Sequence, residues 1–134
     1  MADISSLVIN VLRVSSAFNN VPIPGDKEHA LLVQDYTLSM RILEDCAAIA
    51  KAVPDGEVPK VMEEATVQCI NLAEEVVVRQ EKWSTRKGAL RQVTGLASWE
   101  KLERLNNAFR HRVLTLHTIC QRHVVVQYRA NRFC

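Results

Sequence analysis

The sequence predicts an all-α fold: a four-helix bundle of long antiparallel helices, with a short extra helix as an option before the last. Three observations carry this. Apolar residues recur at alternating steps of three and four over long stretches. The four glycines and four prolines cluster between those stretches. The connections they leave are short, which favours antiparallel neighbours. At 134 residues and 48% apolar content, the chain reads as one domain, 1–134, large enough for a real core.

The first helix, within residues 1–20, is the most apolar. Ile4, Leu7, Val8, Val11, Leu12, Val14 and Phe18 cover most of its circumference, and Arg13 is its single charge. A helix of this kind is buried in a bundle or enters something apolar elsewhere. Asp3 or Ser5 supplies an N-cap. Pro22 and Pro24 end the helix and make a stiff, extended linker that sets it off from the rest.

The second helix is expected over 26–53, capped by Asp26, with Val33, Tyr36, Met40, Leu43, Ala47 and Ala50 as its seam. Pro54-Asp55-Gly56 is a turn. The third is expected over 57–83, with Pro59 in its first turn and a seam of Val58, Met62, Ala65, Cys69, Leu72 and Val76. Residues 84–97 are polar and interrupted by Gly88 and Gly95, with room for a short helix at 89–93. Ser98 caps the last helix, expected over 98–129, with Leu102, Leu105, Phe109, Val113, Leu116, Cys120 and Val124 on one face. The β-branched run Val124-Val125-Val126 makes its last turns the weakest part.

A net charge of +2 conceals two unlike halves. Residues 1–81 carry 13 acidic and 6 basic groups, residues 82–134 carry 2 and 11. The last helix lying against the acidic middle helices accounts for this; a basic surface for anionic lipid, or for nucleic acid, is the alternative. Lys82, Arg86, Lys87 and Arg91, within ten residues, are the candidate anionic-surface contacts. The arginines of the last helix spread around it and form no recognition stripe, and aromatics are only 5% of the chain, so nucleic acid is the disfavoured partner.

No catalytic set emerges, and no cofactor or metal is expected. His111, His117 and His123 are six apart, which turns each about 120° from the last around a helix. With His29, they read as solvated or cap-region residues. The acidic pairs Glu44/Asp45, Glu63/Glu64 and Glu74/Glu75 read as solvated helix faces. Trp83 and Trp99 flank the basic linker, where packing at helix ends is the simple reading and a membrane or partner contact the alternative. Cys46, Cys69 and Cys120 fall on apolar faces and Cys134 is terminal, which suits reduced thiols in a cytosolic protein. The N-terminus lacks the basic region of a secretory signal, and no apolar run reaches the ~20 residues of a spanning helix.

The order of features carries a resemblance. An apolar N-terminal helix is followed by a long helix with Tyr36, Met40 and Leu43, then a helix of acidic and small apolar residues. A basic linker then leads into Trp99 and the final helix, Trp-Glu-Lys-Leu-Glu-Arg-Leu-Asn-Asn-Ala-Phe-Arg-His-Arg-Val-Leu-Thr-Leu-His. Over nearly its whole length the chain resembles the HeLo and HeLo-like domains of fungal STAND receptors and heterokaryon-incompatibility proteins. It is also similar to the four-helix domain of mixed-lineage-kinase-like proteins.

The resemblance implies a non-enzymatic, cytoplasmic bundle linked to a sensor or signalling protein. On triggering it homo-oligomerises, relocates to the plasma membrane and permeabilises it, causing cell death in innate immunity. By position, Ile4, Leu7, Val8, Val11, Leu12, Arg13 and Phe18 then form the membrane-active helix. The competing expectation is an adaptor or oligomerisation bundle with helix 1 permanently buried.

Overall fold

The computed structural model describes the backbone of residues 4–19, 27–53, 58–85 and 88–133; side chains at 4, 5, 7, 8, 18, 19, 82–98, 128 and 130–133 fall outside the described set. Within it the chain is an all-α four-helix bundle: α1 (Ile4–Asn19), α2 (Lys27–Ala52), α3 (Lys60–Thr85) and α4 (Gly88–Phe133).

Local chemistry sets the ends that are described. Glu28 in the first turn of α2 and Lys51 in its last complement the helix dipole. The Val53 N–H closes α2 by donating to Ala50 O at 3.2 Å. α3 begins later than the expected residue 57. Pro59 stands just outside it, and its carbonyl accepts from the N–H groups of Met62 and Glu63 at 3.0 and 3.2 Å. A proline suits that place because it has no N–H to leave unpaired.

The main departure is in α4, a single helix of 46 residues. The short helix at 89–93 and the fresh start at Ser98 are not separate features. Gly95 lies inside the helix, where one glycine costs roughly 1 kcal/mol, and no proline interrupts the run from 88 to 133. Helix growth is cooperative, so a single weak residue between two helical stretches is bridged.

The core follows a heptad rhythm. Leu102, Asn106, Phe109, Val113, Leu116 and Cys120 of α4 are buried at steps of four and three. They meet Tyr36, Met40, Leu43, Cys46, Ala47 and Ala50 of α2, and Met62, Cys69, Ile70, Ala73, Val76 and Val77 of α3. Val58, Ala65 and Leu72, expected in the α3 seam, and Val33 and Leu105 are partly buried at its edge. Val124, expected to extend the α4 seam, is exposed. The rings of Tyr36 and Phe109 lie 5.0 Å apart between centroids, and the Tyr36 hydroxyl donates to Ala73 O at 3.1 Å.

Cross-helix contacts fix the directions. His29 meets Gln80 and Tyr36 meets Ala73, so α2 and α3 run antiparallel. His29 meets Trp99 and Tyr36 meets Phe109, so α2 and α4 run parallel. α4 packs against both α2 and α3, and α1 packs against the same two helices; among the described residues α1 does not touch α4.

Candidate functional site

Among the described side chains of α1, one stripe faces the bundle. Val11 and Val14 are 0% and 2% exposed, and Ala17 is packed beside them. On the opposite side Ile9 and Leu12 are 65% and 57% exposed. Two polar links flank the stripe. Arg13 forms an ion pair with Glu74 of α3, and the Ser15 hydroxyl donates to a carboxylate oxygen of Glu44 on α2. Glu44 and Glu74, expected on solvated helix faces, stay partly exposed there and each also meets a polar group of α1.

Burying a valine contributes roughly 1.5–3 kcal/mol, whereas an ion pair as exposed as Arg13–Glu74 contributes about 0–1 kcal/mol. The described side chains therefore hold α1 chiefly through Val11 and Val14. Of the candidate membrane-active residues, Val11 faces the bundle while Leu12 and Arg13 face outward. The side chains of Ile4, Leu7, Val8 and Phe18 lie outside the described residues, as do those of Lys82, Arg86, Lys87 and Arg91.

A second polar arrangement joins the other three helices. His29 is 1% exposed, which corrects its reading as a solvated or cap-region residue. His29 Nε2 donates to Gln80 Oε1 at 2.5 Å, and its ring stands edge-on to Trp99 at 5.8 Å between centroids. Trp99, expected at a helix end, is well inside α4 and half-buried, with its indole N–H donating to Glu103 at 2.7 Å. Nearby, Asp35 accepts from Asn106 at 3.0 Å and pairs with Arg110 at 3.5 Å. Sequence reasoning passed over Gln80 and Asn106; their signal was heptad spacing from apolar neighbours, which polarity masked.

Cys46, Cys69 and Cys120, one from each of α2, α3 and α4, are all buried and free. The Cys46 thiol is pushed far up by its hydrogen bond to Cys120 first and by burial second. Cys120, the acceptor of that bond, is shifted down by it. Burial pushes Cys69 up to about 12. Protonated buried thiols behave as small apolar side chains. Among the described residues no group of three or more His, Cys, Asp or Glu is placed to hold a metal ion.

Comparison with protein-family models, curated proteins and solved structures gives no match. Among the described residues no helix is long and apolar enough to cross a membrane.

Proposed function

We propose that this chain is a non-enzymatic, self-associating effector module whose helix α1 detaches from the bundle and engages an anionic membrane. The observation that supports this reading is the seating of α1. Among the described residues it touches two of the three other helices, buries Val11 and Val14, and turns Ile9 and Leu12 to the outside. The resemblance to HeLo-like domains points the same way and supplies cell death and immunity as the setting. At 16 residues α1 is about 24 Å long. That is below the ~30 Å of a hydrocarbon core, so it lies in the interface with its apolar side down.

The burial of Val11 and Val14 favours a second reading, an adaptor bundle with α1 as a permanent core element. Dye release from anionic vesicles by the whole chain separates the two. Ile9→Glu with Leu12→Glu changes only exposed positions and leaves the fold intact. The first reading expects release by the unchanged chain and its loss in this variant. No release by the unchanged chain, or equal release by both, overturns it.

A further inference from the structure

We propose that Ser15 is a phosphorylation site, and that phosphate placed there holds α1 off the bundle. This rests on the release of α1 in the proposed function and names its regulation.

Ser15 makes a polar contact between α1 and α2. It is half-buried, and its hydroxyl donates to a carboxylate oxygen of Glu44. The bond needs a donor on the α1 side, because an ionised carboxylate only accepts. Phosphorylation removes that donor and puts about −1.5 to −2 charges in its place at pH 7. Acceptor oxygens then face an acceptor, and like charges meet in a partly buried contact where water screens them poorly. Asp45 follows Glu44, and residues 1–81 carry a net charge of −7, so the surroundings add to the repulsion.

The position on α1 acts in the same direction. The helix ends at Asn19, one turn beyond Ser15, and its last turn holds no basic residue. The dipole there carries partial negative charge, which disfavours an added anion.

Release makes the site usable. α1 has 16 residues, a length at which an isolated helix is marginal in water, so the detached segment is largely unfolded. A chain in that state can thread a kinase cleft, whereas a seated helix cannot. Arg13 leaves Glu74 in the same movement and stands two residues before the acceptor, where it offers a positive charge to an acidic cleft. The terminal phosphoryl group of a nucleoside triphosphate then passes to Ser15 Oγ. Its bond to the bridging oxygen breaks, a P–O bond to Ser15 forms, the hydroxyl proton goes to a carboxylate of the kinase, and the nucleoside diphosphate leaves. The modified α1 returns to its seat less often, so a passing release becomes a lasting one.

Ser16 is the internal control. It is exposed and shares the outer face with Ile9 and Leu12, the three standing at i+7, i and i+3. Phosphate there points into water. Arg41 is the opposing element: it is exposed, one turn before Glu44 on α2, and no ion pair occupies it among the described residues. A phosphate drawn to Arg41 would keep α1 in place.

Phosphoserine built into the whole chain during translation, at position 15 or at position 16, tests this by hydrogen exchange of the backbone amides. At 15 it speeds exchange in α1 by about tenfold or more and leaves α2 to α4 protected. At 16 it speeds exchange in α1 by less than about fivefold, as the helix dipole alone dictates. Glu44→Gln in the chain phosphorylated at 15 restores part of the protection. Incubating the unchanged chain with a nucleoside triphosphate and a kinase selective for an upstream arginine places phosphate on Ser15. Unchanged exchange with phosphate at 15, equal effects at 15 and 16, loss of protection throughout α2 to α4, or phosphate found only at other residues overturns the proposal. Dye release is read separately: a chain phosphorylated at 15 that frees α1 but releases no dye keeps this switch and removes the membrane reading.

Discussion

Arg13 of α1 pairs with Glu74 of α3, and Arg13 is the only charged residue on α1. Both partners are largely exposed. The pair orients the helix more than it holds it. Arg13→Ala is expected to lower stability by less than about 1 kcal/mol, measured by urea unfolding, because an exposed pair is solvated and screened. A loss of several kcal/mol would mean that the pair, rather than the valine stripe, seats α1.

The stripe and the outer face of α1 should respond differently to truncation. Val11→Ala is expected to cost about 2 kcal/mol, since it opens a cavity against α2 and α3. Ile9→Ala should stay within about 0.5 kcal/mol, because Ile9 is largely in water already. Equal costs at the two positions, read from unfolding midpoints, would contradict the one-sided seating.

His29 and Gln80 form a buried pair whose members depend on one another. His29→Ala is expected to destabilise by about 2–4 kcal/mol, combining a cavity with an unpaired Gln80 oxygen. Replacing both, His29→Leu with Gln80→Leu, should recover part of that loss because no buried acceptor is then left unmatched. A double-mutant cycle on thermal unfolding measures the coupling.

Alkaline pH should weaken the fold. The Cys69 thiol is raised from the usual 9.0 to about 12 by burial, and burial also raises the Tyr36 phenol. Below pH 9 both groups are protonated in folded and unfolded chains, and their contribution is fully present. As pH rises from 9 toward 12, the unfolded chain releases the Cys69 proton and the folded chain keeps it. Stability therefore falls, with a slope from this thiol of up to about 1.4 kcal/mol per pH unit. Unfolding midpoints between pH 8 and 11 check this, and Cys69→Ala should flatten the early part of the fall.

How much of this was legible in the sequence varies by element. The α4 register was readable because Leu102, Phe109, Val113, Leu116 and Cys120 keep a heptad rhythm that only a helix in a bundle satisfies. Its start was not, because the polar residues 84–88 and Gly95 look like punctuation, and helix cooperativity that overrides one glycine is not a local signal. Val124 continued the periodic pattern but is exposed, past the last core layer among the described residues, and periodicity alone does not say where neighbouring helices stop. His29 was misread because its partners, Gln80 and Trp99, are more than fifty residues away and burial of a polar ring depends on them. The partners of Glu44 and Glu74 were not legible for a related reason: they are on α1, and helix-face patterns hold no information about which helix docks where.

The central claim, that α1 is separable from the rest of the bundle, is tested most directly by removing residues 1–20 and following thermal unfolding of the remainder by circular dichroism. The account predicts that the remaining helices keep their helicity and a cooperative transition at a lowered midpoint. Loss of the cooperative transition would contradict it and assign α1 to the permanent core.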